Sequence, residues 1–159
     1  MCIRDRNGAG ATVAEFRVAA TEAGLIHIAS HGVFRSDRPN LSGLRLSDRW
    51  LYGYDVTALP LRARLVTLSA CRSGQSAAWG GGEWLGLARS FLAAGASRVL
   101  AGLWDLDDAA TRRLMNLFYE KWLRDGQAVA QALSSAQSEL AAEGCHPYYW
   151  SGLALVGDL

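Results

Sequence analysis

Two short apolar runs constrain this chain more than any other feature. Leu25-Ile26-His27-Ile28-Ala29-Ser30 stops at His31-Gly32, and Leu65-Val66-Thr67-Leu68-Ser69-Ala70 stops at Cys71-Arg72-Ser73-Gly74. Both runs are short, rich in strand formers and followed by glycine-bearing turn residues, the pattern of a buried parallel strand emptying into a loop. In open α/β sheets, chemistry gathers at the carboxyl ends of the strands. If the two strands pair in parallel, about 4.8 Å apart, His31 and Cys71 arrive side by side. A thiol beside an imidazole is the minimum apparatus of a cysteine nucleophile.

The rest of the chain alternates helix and strand. Ala11 to Ala23 has helical composition and Gly24 stops it. After a polar loop from Val33 to Asn40, Gly43-Leu44-Arg45-Leu46 and Trp50-Leu51-Tyr52-Gly53 flank the tight turn Ser47-Asp48-Arg49 as a hairpin. Asp55 is placed to cap a short helix, Val56 to Leu59. Arg72 to Glu83, with four glycines, reads as a long loop directly after the cysteine. A helix from Trp84 to Ala94 stops at Gly95. A strand from Arg98 to Trp104 leads into Asp105-Leu106-Asp107-Asp108, where Asp108 is placed to cap the helix Ala109 to Leu123. Gln127 to Glu143 is a further helix, His146 to Trp150 a loop, and Gly152 to Val156 a last strand. Strands alternating with helices at this spacing predict an α/β sandwich with a mostly parallel sheet and a small β-hairpin insertion.

Composition narrows the function. Of 159 residues, 16 are basic and 15 acidic, a formal charge of +1, and the arginines are scattered. That balance recruits neither nucleic acid nor a membrane. No apolar stretch approaches the roughly 20 residues a spanning helix needs. Three cysteines without metal or disulfide spacing predict a reducing, cytoplasmic setting. The leader, residues 1–10, has no helical periodicity and reads as non-native or disordered. His27 and His31 are four apart; on a strand that is about 13 Å, too far to share a metal ion. His27 is therefore read as a core or sheet-face histidine, and no metal or cofactor is expected.

Several motifs in order resemble a known family. His27-Ile28-Ala29-Ser30-His31-Gly32, Leu68-Ser69-Ala70-Cys71, Gly82-Glu83-Trp84-Leu85-Gly86-Leu87-Ala88-Arg89, Leu103-Trp104-Asp105-Leu106-Asp107-Asp108 and His146-Pro147-Tyr148-Tyr149-Trp150 are similar to the CHAT domain. This is a caspase-like domain of the caspase/separase-type cysteine peptidases, often joined to tetratricopeptide repeats in bacteria. In caspases the histidine precedes the cysteine motif by about 50 residues; here the gap is 71 − 31 = 40. Such domains are longer at the N-terminus, so residues 11–159 read as the C-terminal part of one. Asp105 stands where the family pattern has proline.

The resemblance implies a caspase-like three-layer fold and a cysteine endopeptidase that cleaves partner proteins, controlled by attached repeat or sensor modules. Cys71 would be the nucleophile and His31 the general base and acid. The backbone N–H groups of Gly32 and Cys71 would bind the developing oxyanion. Ser69, two residues before the nucleophile, would line the first specificity pocket. Asp105 and Asp107, following the next strand, would favour a basic side chain, and Trp104 would touch the substrate. The alternative is a CHAT scaffold that keeps the fold without turnover. An unrelated hydrolase is disfavoured because Ser69-Ala70-Cys71-Arg72-Ser73 lacks the glycines of a nucleophile elbow.

Overall fold

The computed structural model describes residues 5–35, 37–72, 83–104 and 107–158, with residues 70–72, 83 and 84 described by their backbone. By compactness the chain divides into two units: residues up to Ala101 with Val156–Asp158, and Gly102–Leu155.

In the first unit, α1 (Val13–Glu22) starts where Thr12 Oγ1 accepts the Glu15 N–H at 3.2 Å. Satisfying one of the orphan donors of the first turn is what makes threonine a good cap. Then β1 (Leu25–Val33) leads to the hairpin β2 (Gly43–Arg45) and β3 (Trp50–Tyr52), followed by α2 (Gly53–Thr57). Next come β4 (Leu65–Arg72), α3 (Glu83–Ala93) and β5 (Arg98–Gly102). Val66, Leu68, Val99 and Ala101 are all buried, as central strands require. The core is completed by Leu44 and Leu51 from the hairpin and by Leu87 and Phe91 from α3, all fully buried.

The second unit holds α4 (Asp108–Tyr119), a π-helical turn over Glu120–Arg124, α5 (Val129–Ala142), α6 (Pro147–Trp150) and most of β6 (Leu153–Gly157). Leu114 and Phe118 of α4 and Ala132, Ala136 and Leu140 of α5 are buried at helical spacing. Ion pairs Arg113–Glu143 and Lys121–Glu139 link α4 and the π turn to the end of α5.

The sheet order is β3-β2-β1-β4-β5-β6. The three central strands are parallel: β1 pairs β4 from Leu25↔Leu65 to Gly32↔Arg72, and β4 pairs β5 from Val66↔Val99 to Leu68↔Ala101. The hairpin adds antiparallel on the β1 side, with Gly32 opposite Leu44 and Val33 opposite Gly43. This is the caspase-like α/β class the sequence predicts: parallel central strands, helices in the connections and a small hairpin at one edge.

Several local expectations are corrected. The strands do not stop at His31 and Cys71. They run on to Val33 and Arg72, because Gly32 pairs with Arg72 of β4 and Leu44 of β2, and Val33 with Gly43 of β2. Asp107, not Asp108, caps α4: its Oδ1 accepts the Ala110 N–H at 2.8 Å. Residues 147–150 form a short helix rather than a loop. Pro147 supplies the helical φ at its first position, and His146 Nδ1 caps it by accepting the Tyr148 N–H at 3.2 Å. The glycine-rich segment 73–82 and Asp105 lie outside the described residues.

Asp55 also differs. It sits inside α2 and reaches back, so that Oδ2 accepts the Tyr52 N–H at 3.1 Å. Arg49 clamps the same carboxylate with two bonds, at 3.0 and 3.1 Å. The residue is 7% exposed, and the Arg49 hydrogen bonds hold its pKa below the usual carboxylate range. A depressed folded-state pKa gives stability that is present above the unfolded value, about 3.9, and lost as pH falls through the folded one. Asp55→Asn should lower stability by about 1–2 kcal/mol, less than a fully buried pair because Arg49 stays half exposed. In urea melts the gap to wild type should be constant above about pH 5 and shrink below about pH 4. An equal gap at pH 3 would remove the charge from the explanation.

Candidate active site

The candidate site is set by the β1–β4 register. His31 is the Cα partner of Cys71, and the rows beneath are Ala29↔Ser69 and His27↔Thr67. Register partners in a parallel pair present side chains to the same face, and every second residue returns to it. One face of the two strands therefore carries His27, Ala29 and His31 beside Thr67 and Ser69, with Cys71 the next backbone position in that series. Along β1 this face is open: His27, Ala29 and His31 are exposed, while Ile26 and Ile28 on the opposite face are buried. An imidazole at the exposed end of such a row is accessible to a substrate.

Beneath that end row, His27 Nε2 lies 3.0 Å from Ser69 Oγ. Desolvation lowers the His27 pKa even though the residue keeps contact with solvent, which favours the neutral ring. Thr67, its row partner, is fully buried. The sequence reading of His27 as a sheet-face histidine agrees with its position, but the bond to Ser69 was not foreseen. The two-residue period puts 27, 29 and 31 with 67, 69 and 71 but gives only the rows, not a bond between neighbouring rows. A groove of about 1010 Å³ lined by Phe16 and Ala20 of α1 also borders Ile26 to Ser30, but it ends short of His31.

Gly32 follows His31 inside the ladder, buried, between Leu44 and Arg72. In the second unit, Trp104 is half-buried and donates Nε1–H to the Tyr148 carbonyl at 3.2 Å. Its ring stacks on Tyr148 with centroids 6.0 Å apart. Trp150 donates Nε1–H to the Cys145 carbonyl at 3.0 Å. Asp107 is exposed, with one carboxylate oxygen engaged by its helix cap. Among the described residues no three His, Cys, Asp or Glu side chains group as a metal ion would need. Nor is any described helix long and apolar enough to cross a membrane.

A parallel strand pair with histidine opposite cysteine near its carboxyl end, within this sheet order, is consistent with a caspase-like α/β protein. The chain belongs to the CHAT domain family, whose sequence profile it matches over residues 5–158. It is similar to Tetratricopeptide repeat protein 28 of Homo sapiens, 35% identical over 133 residues, which is 82% of this chain and 5% of that protein. The Mus musculus protein of the same name is 34% identical over 126 residues, 77% of this chain and again 5% of the relative. The chain thus spans about one-twentieth of the length of these relatives, which are repeat proteins by name.

Proposed function

We propose that this chain is a cysteine endopeptidase domain acting on protein or peptide substrates through a His31–Cys71 dyad. The observation that carries the reading is the register that makes these two residues strand neighbours. His31 takes the thiol proton and the Cys71 thiolate attacks the substrate carbonyl carbon. The N–H groups of Gly32 and Cys71 are the proposed donors to the oxyanion that forms. As the C–N bond breaks, His31 gives its proton to the leaving amine and a thioester remains. Water, losing a proton to His31, then releases the acid and the free thiol. Ser69, Trp104, Asp105 and Asp107 are proposed to contact the substrate, the two aspartates favouring a basic residue beside the cleaved bond. Because the similar proteins carry tetratricopeptide repeats in their name, attached repeats are the proposed regulators. A reducing compartment keeps the thiol available.

A peptidyl acyloxymethyl ketone with arginine next to its reactive carbon tests the reading. Labelling should reach one equivalent per chain, all of it at Cys71 by peptide mapping, and vanish in Cys71→Ala. Equal slow labelling of Cys71 and Cys145 would mean exposed thiols on a scaffold without turnover.

A further inference from the structure

We infer that His27 is a positioning residue for the Cys71 thiol, acting through its hydrogen bond to Ser69; the inference rests on the dyad reading above. The geometry is specific. His27 has Thr67 as its Cα partner, yet its Nε2 bonds Ser69, one row nearer the strand ends. Ala29 shares the row of Ser69, and its single methyl leaves the diagonal open. Ser69 is the last residue before Cys71 on that face. The bond therefore ties β1 to β4 by side chains in the row directly below the dyad.

Among the described residues β1 pairs with β2 at Gly32 and Val33, so below those rows the backbone ladder with β4 and this side-chain bond hold the strand. A small slide or splay of β1 against β4 between those rows would change the spacing of imidazole and thiol. A reacting pair tolerates little such change. A neutral ring suits the role, since its Nε2 either donates to or accepts from the serine hydroxyl. The tie also fixes the Ser69 rotamer, so Ser69 acts in this account by holding the end of β4 as well as by lining a pocket.

The test is the rate of Cys71 alkylation by iodoacetamide against pH, read by mass spectrometry of the Cys71 peptide. Iodoacetamide carries no recognition group, so the rate reports the thiolate and not substrate fit. His27→Leu and Ser69→Ala should each raise the pH midpoint by about 0.7 unit, the net worth of one neutral hydrogen bond, and slow alkylation at pH 5 about twofold, the loss of thiolate outweighing the gain in nucleophilicity. The double variant should lose no more than the larger single effect. His27→Gln, whose amide nitrogen reaches the position of Nε2, should keep the wild-type pH midpoint to within about 0.3 unit. Ser69→Ala removes one oxygen, so it carries the test if His27→Leu does not fold. Unchanged rates and midpoints in folded variants, with only Tm lowered, would overturn the inference and leave the dyad standing. A wild-type Cys71 whose rate does not depend on His31 would overturn both.

Discussion

Replacing His31 with alanine should lower hydrolysis of a fluorogenic peptide-amide library by about 10³-fold, near the middle of the range for losing a general acid–base. Two losses combine. Cys71 loses the group that takes its proton, and the leaving amine loses its proton donor. The second loss is the larger for an amide, because an unprotonated amine is a very poor leaving group. His31 is exposed and lies on the open face of β1, so its truncation removes little packing and should leave Tm within a few degrees. Activity within tenfold of wild type in the folded variant would rule out His31 as the acid–base.

A large stability effect is expected at Gly95. It ends α3 in a left-handed conformation, φ +109°. The Ala96 N–H bonds the Phe91 carbonyl at 3.1 Å and the Gly95 N–H the Leu92 carbonyl at 3.0 Å, the paired bonds of a Schellman cap. A Cβ here would sit 2.4 Å from the Leu61 carbonyl oxygen. That oxygen belongs to a backbone tied down by the Leu61 N–H bond to Ala94, 2.8 Å long. Gly95→Ala therefore adds a backbone clash to the conformational strain and should cost about 3–4 kcal/mol. Gly144 is the control. It closes α5 with the same pair of bonds, at φ +80°, but a Cβ there meets nothing within 4 Å. Gly144→Ala should cost about 1 kcal/mol. Equal losses at the two sites in urea melts would show that the contact with Leu61 contributes nothing.

Much of the central sheet was legible because β1 and β4 each begin in a run rich in Leu, Ile and Val and stand a helix-containing connection apart. Once they are parallel and adjacent, the row that holds His31 and Cys71 follows from counting residues. The strand ends were less legible. His31-Gly32 reads as a turn, and tertiary pairing with Cys71 and Arg72 on one side and Leu44 on the other makes it strand. Caps were placed one residue wrong where two candidates adjoin, as at Asp107 and Asp108. Both have a short carboxylate, and which one caps depends on where the chain enters the helix. Asp55 misled for a related reason. Its side chain serves the backbone N–H of Tyr52 from within the helix, as the acidic member of a capping box does. The His27–Ser69 bond was illegible because it crosses a diagonal. Sequence gives the rows, but the rotamers that join neighbouring rows depend on what fills the space between them.

The proposed chemistry requires His31 to turn Cys71 into a thiolate. The measurement that reads this most directly is iodoacetamide alkylation of Cys71 from pH 4 to 10, in wild type and His31→Ala. An ordinary thiol, pKa about 8.5, is only about 0.3% thiolate at pH 6, so pairing raises the reactive fraction about 300-fold. The lower basicity of a paired thiolate reduces its intrinsic reactivity by about 20-fold. The gain wins, and wild type should react about tenfold faster than His31→Ala at pH 6, on a plateau extending below pH 7. A single titration near pH 8.5 in both proteins would contradict the account.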